Sequence, residues 1–102
     1  MELGDLLNTH VEMTFHIASE IYRRFNINDL NQLNEIKSAI TNYFFNETHQ
    51  KQYNTVANAA VFYVLKKENP LLSFSYFHDK FKVDAKSLKS CVEQIQKIET
   101  TE

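Results

Sequence analysis

Glycine and proline are almost missing from this chain of 102 residues, which holds one of each, a single cysteine and no tryptophan. Soluble proteins average about 7% Gly and about 5% Pro. Sandwiches, barrels and Rossmann units turn often and use Gly to do it, so the shortage argues against all three. Gly4 stands alone, which excludes a glycine-rich phosphate loop. Cys91 stands alone too, which excludes a disulfide framework and a zinc site built from several thiolates. Strong charge of either sign is also missing. The formal charge of −2 gives no global sign of a nucleic-acid partner or of an acidic solvating tail.

Long apolar runs are absent as well. The longest is residues 59–65, far short of the roughly 20 needed to span a membrane. The chain opens Met-Glu-Leu-Gly-Asp, with neither the basic region nor the apolar core of a signal peptide. A lone Cys fits a reducing compartment. The expectation is an intracellular, soluble protein with no membrane partner.

The chain does hold 43% hydrophobic residues, enough for one packed core, and its length fits a single domain over residues 1–102. Its charge is unevenly spread. Residues 1–50 carry seven acids and three bases, whereas residues 51–102 carry eight bases and six acids. Five lysines fall between Lys80 and Lys97, so an anionic partner should meet the C-terminal third.

Apolar periodicity predicts about five helices and no strands. Over residues 5–25, Leu3, Leu7, Val11, Ala18, Ile21 and Phe25 form a stripe at three- and four-residue steps, with Leu6, Met13, Phe15 and Ile17 beside it. Asp5 is the expected cap, and Arg23 and Arg24 suit the last turn. Asn26-Ile27-Asn28-Asp29 reads as a break. A second helix follows over residues 29–46, and residues 48–54 read as a polar loop. Residues 55–68 are apolar nearly all round, which predicts the buried central helix. Asn69-Pro70 ends it, because the residue before Pro avoids helical geometry. Ser73 then caps a short helix over residues 74–81. Lys82-Val83 makes a tight connection, and Asp84 caps a last helix over residues 85–98. Leu88, Cys91 or Val92, Ile95 and Ile98 face inward there. Residues 99–102 read as a frayed tail.

This order of helices, with Ala57-Asn58-Ala59-Ala60-Val61-Phe62-Tyr63 at the centre, resembles a single cyclin box of the transcription factor IIB type and its archaeal counterpart. The central helix of that family carries several alanines, then an aliphatic residue and a Tyr. The end of the chain resembles the family's helix–turn–helix. Val83 stands where a β-branched residue plugs the turn, Asp84 where a Ser or Asp caps the second helix, and Lys86, Leu88 and Lys89 where lysines and hydrophobic residues alternate. Lys82 stands where a Gly would ease a left-handed turn, and Asn58 interrupts the alanines. One repeat's worth of residues is present, with no zinc ribbon. The Met-Arg-Ala-Ile-Leu stretch of kinase-activating cyclins is absent. The resemblance implies an all-α, cyclin-box-like bundle ending in a helix–turn–helix-like pair. Its function would be that of a non-enzymatic binding module, a transcription- or replication-associated adaptor contacting duplex DNA or a protein of that machinery. The short chain, frequent in Asn, Ile and Lys, also resembles orphan proteins of filamentous archaeal viruses, which would place it in the host cytoplasm.

A recognition helix needs exposed residues at its start to reach base edges, and nearby cations to hold phosphates. Lys80, Lys82, Lys86, Ser87, Lys89 and Ser90 are the expected nucleic-acid-binding set; a solvated helix face would carry the same lysines. An alternative is a protein–protein module or homodimer built on exposed rings among Phe44, Phe45, Tyr53, Phe62, Tyr63, Tyr76 and Phe77. A homodimer would restore the two cyclin folds that the family holds in one chain.

Catalysis has little support. Glu12, His16 and Glu20 share a helix face at four-residue steps, a row that could hold a divalent metal or act in acid–base chemistry. The same spacing is ordinary on exposed helix faces, and no second cluster adds ligands. His10, His49 and His78 have no partner legible in the sequence, and Cys91 reads as a small buried hydrophobe. No catalytic residue, cofactor or metal is expected.

Overall fold

A computed structural model describes residues 3–47 and 52–100, with side chains from Asn8 onward. The expected roles of Leu3, Leu6 and Leu7, the loop residues 48–51 with His49, and tail residues 101–102 lie outside the described residues or side chains. Five helices account for nearly everything else: α1 (Leu3–Arg23), α2 (Leu30–Asn46), α3 (Tyr53–Glu68), α4 (Phe74–Phe81) and α5 (Ala85–Thr100). No strand occurs among the described residues. No described helix is long and apolar enough to cross a membrane.

Each break has a local cause. α1 tightens at its end into i→i−3 hydrogen bonds, with the Arg24, Phe25 and Asn26 amides each 3.1 Å from their acceptors. Asn26 then takes a left-handed conformation at φ 58°, which Asn tolerates better than most residues. Asp29 caps α2, its carboxylate accepting from the Asn31 and Gln32 amides at 2.9 and 3.3 Å. α3 stops at Asn69, ahead of Pro70. Ser73 accepts from the Tyr76 amide at 3.2 Å and caps α4.

Three boundaries differ from expectation. α1 is already helical at Leu3, so Asp5 stands within the helix, and its side chain lies outside the described ones. α3 begins at Tyr53, two residues into the expected loop. Tertiary contact explains this: the Tyr53 ring packs against His10 and Phe44, at 5.3 and 6.2 Å between centroids. That anchors a first turn whose polarity alone reads as loop. α5 runs on to Thr100, past the expected fraying at Glu99.

The core is organised around α3, which packs against α1, α2 and α5, while α5 also packs against α2 and α4. Nine α3 residues are buried, from Val56 through Leu65 with only Tyr63 partly exposed. Ala57, Ala59 and Ala60 are fully covered, and their small side chains let neighbouring backbones approach. Val11, Ala18, Ile21 and Tyr22 of α1 meet this surface, as do Ile36, Ile40, Tyr43 and Phe44 of α2. The Val, Ile and Phe side chains among them each contribute about 1.5–3 kcal/mol when removed from water. On α5, Leu88, Cys91, Val92 and Ile95 all point inward, so both Cys91 and Val92 face the core.

Two polar features sit inside. The Tyr22 hydroxyl donates to Gln32 Oε1 at 2.5 Å, and Gln32 Nε2 donates to Glu68 at 3.0 Å, tying α1, α2 and α3 together. Burial pushes the Tyr22 phenol above its ordinary value, and the Asp29 and Glu68 carboxylates push the same way. Asn58 is fully buried; its amide donates to the Asn54 carbonyl at 2.8 Å, while its Oδ1 has no hydrogen-bond partner among the described residues.

Candidate nucleic-acid interface

The expected interface is built on the connection between α4 and α5, residues 82–84. α4 ends because Lys82 turns left-handed, at φ 58° and ψ 33°, while its amide still bonds to the His78 carbonyl at 3.0 Å. Gly normally takes this place because a Cβ is crowded there. Val83 follows and is buried, plugging the turn into the core. The His78 ring closes the turn, its Nδ1 lying 2.8 Å from the Val83 carbonyl. A carbonyl only accepts, so Nδ1 carries the proton in that bond.

Asp84 starts α5. Its Oδ2 accepts from the Ser87 amide at 2.9 Å, and its carbonyl accepts from Leu88 at 2.9 Å. The Ser87 amide, then the Ser87 hydroxyl, hold the Asp84 carboxyl below its ordinary value, and the His78 and Lys86 charges add to this.

Around this turn the structure places the six expected residues unequally. Lys80, Lys82, Lys86 and Lys89 are all exposed, and none forms an ion pair among the described residues. Lys80 lies over the Tyr76 ring, 5.7 Å from its centroid. Ser87 and Ser90 are half-buried, and Ser87 is turned back toward the Asp84 cap. The four lysines are therefore open to solvent around the turn, while the two serines are partly covered.

Arg24 belongs to this face, although the sequence suggests only a role at the end of α1. A cleft of about 270 Å³ is lined by Arg24, Lys80 and Lys82 over a floor that includes Ile17 and Ile21. Glu20 reaches the same cleft, but its carboxylate is paired with Arg23 at 3.3 Å. The signal that could have found Arg24 is that α1 ends beside α4, which the sequence gives no means to register. The Phe25 ring fixes that juxtaposition by packing on Phe77 and Phe81, at 5.7 and 5.8 Å.

The other candidate chemistry disperses. Glu12 lies 3.9 Å from Lys37, Glu20 pairs with Arg23, and His16 is exposed. No group of three or more His, Cys, Asp or Glu side chains is placed to hold a metal among the described residues. His10 has partners that the sequence does not reveal: its Nδ1 meets the Tyr53 hydroxyl, and its ring stacks on Phe44 at 5.6 Å. Cys91 is fully buried. Of the seven rings considered for a docking surface, Phe45 and Tyr76 are exposed, while Phe44, Phe62 and Phe77 are buried. The exposed pair stands apart. Phe45 follows Phe44, which packs near the start of α3, whereas Tyr76 lines a cleft with Asn69 at the end of α3.

Compared with known proteins, the chain matches no family model, no curated protein and no solved structure.

Proposed function

We propose that this protein is a non-enzymatic binding module that contacts duplex DNA through the α4–α5 pair, in the manner of one transcription-factor-type cyclin box. The observation that carries the reading is a cluster of exposed cations. Lys80, Lys82, Lys86 and Lys89 surround a left-handed turn with no ion pair among the described residues, and Arg24 joins them across a cleft.

The chemistry follows from charge. Cations that meet phosphates release condensed counterions, so affinity falls with salt by about 0.9 in log–log slope per phosphate contact. Five exposed cations set the upper limit, and the slope should stay shallower than about −4.5. Asp84 caps the Ser87 amide and places a carboxylate at the α5 N-terminus, so phosphates would meet the lysine side chains instead. Lys86 and Lys89, one turn apart on α5, are the side chains best placed to approach base edges.

Fluorescence anisotropy with a labelled duplex, at low and physiological salt, tests the reading. Binding at low salt that weakens as salt rises, and that is lost in the double variant Lys86→Glu with Lys89→Glu, supports it. No binding at low salt, or binding indifferent to the double variant, overturns it.

A further inference from the structure

A second recognition surface shares no residue with the basic face. Between α3, α4 and α5 lies a half-open cleft of about 300 Å³, close to the low end for ligand pockets and roomy for a single ring. Its walls are apolar. Phe62 and Phe74 stack at 4.4 Å with their planes 16° apart, and Val92 and Tyr63 complete the lining. Phe74 and Tyr63 are only partly covered by the protein itself.

The rim carries two lysines in different electrostatic states. Lys67 is paired with Glu35 at 3.2 Å, and a neighbouring cleft brings Glu99 to the same side. Lys66 has no carboxylate partner among the described residues. Its ammonium is nevertheless fixed, donating to the Pro70 and Leu72 carbonyls at 2.6 Å each. Two of its three N–H donors are thereby used and one remains. Holding that long side chain in place leaves less conformational entropy to lose when an anion arrives.

We propose that this cleft docks a segment of a partner protein in which an aromatic side chain stands next to a carboxylate. The ring enters between Phe74 and Val92, and the carboxylate meets Lys66. Charge complementarity selects this occupant and its direction. The Lys66 side is uncompensated, whereas the Lys67 side already holds Glu35 and Glu99 and repels a further anion. The half-open shape lets the rest of the segment continue past the rim.

The test is an amide NMR titration of the full chain with a blocked pentapeptide, Gly-Asp-Phe-Asp-Gly. The expected shifts cluster at Phe62, Lys66, Phe74, Val92 and Gln96. Replacing both Asp by Asn should weaken binding about fivefold, the effect of one partly exposed ion pair. Replacing Phe by Ala should weaken it at least about tenfold. Gln96→Trp, at an exposed rim position, should block the cleft without disturbing Lys66. Lys66→Met should reproduce the effect of the Asn peptide. No shifts at about 10 mM peptide, a site too weak to matter on the affinity scale, would overturn the proposal. So would equal response to all three peptides, or undiminished binding by the folded Gln96→Trp variant. Free phenylpropionate binding as tightly as the pentapeptide would overturn the assignment to a protein segment.

Discussion

Replacing Lys82 by glycine should make the protein more stable, even though it deletes a whole side chain. Lys82 sits at φ 58° and ψ 33°, squarely in the left-handed region. An L-residue with a Cβ loses about 1–2 kcal/mol there relative to the right-handed region. Glycine is free of that cost, but its greater freedom in the unfolded chain takes back about 0.4–1 kcal/mol. The difference is a gain of about 0.5–1 kcal/mol, or about 3–6 °C in Tm for a domain of this size. Little is lost in return, because the Lys82 side chain is exposed and has no hydrogen bond or ion pair among the described residues. Thermal and urea unfolding followed by circular dichroism at pH 7 gives the answer. Two controls isolate the cause. Lys82→Ala keeps the Cβ and should move stability by less than about 0.5 kcal/mol. Asn26→Gly, at the same φ of 58°, should gain less, because Asn tolerates that region. A Tm for Lys82→Gly equal to or below that of the parent would refute the reasoning, as would an equal gain from Lys82→Ala.

Asn58→Ala should change stability by less than about 1 kcal/mol, because it removes an orphan buried carbonyl together with one hydrogen bond; a loss above about 2 kcal/mol, typical of emptied core sites, would show that the side chain is needed for packing. Asp29→Ala should cost about 1 kcal/mol in urea unfolding by freeing the Asn31 and Gln32 amides. At low pH, the depressed Asp84 pKa means its contribution is present above the ordinary value of 3.8 and is lost as pH falls through the lower folded value; Asp84→Asn should flatten that limb of the Tm profile. At high pH, the raised Tyr22 pKa means stability falls once pH passes the ordinary phenol value of 10.0, and Tyr22→Phe should flatten this second limb.

Much of this fold is readable from spacing alone. The nearly all-round apolarity of residues 55–68 identifies the buried central helix, and α3 is buried at nine positions. Caps at Ser73 and Asp84 and the stop at Pro70 follow from local chemistry, which acts within a few residues and so leaves its mark in the sequence. Lys82 as the left-handed residue follows only from the resemblance to a helix–turn–helix, because a lysine carries no local mark of that geometry. Tyr53 is different: its helical state depends on rings 43 and 9 residues away, His10 and Phe44, and no local pattern announces them. Arg24 fails to register for the same physical reason, since its place beside Lys80 and Lys82 is set by the neighbouring Phe25 ring packing on Phe77 and Phe81 of α4. At the interface itself, the lysines are legible as exposed cations. The inward turn of Ser87 is not, because one hydroxyl can either cap its own helix or face a ligand, and only the geometry of the Asp84 carboxylate decides between them.

The enclosure of α3 also bears on which parts of the molecule can move. Amides at its nine buried positions meet solvent only when neighbouring helices separate, so their opening is tied to opening of the whole chain. α4, eight residues long with one fully buried ring, Phe77, is held far more lightly. Both surfaces of interest set an element of this lighter edge against a heavier one. The aromatic cleft pairs Phe74 of α4 with Phe62 of α3, and the basic face pairs Lys80 of α4 with Arg24 in the turn after α1. A ligand at either place would find one jaw fixed and one able to give. α4 is therefore the piece through which occupancy of one surface could be felt at the other.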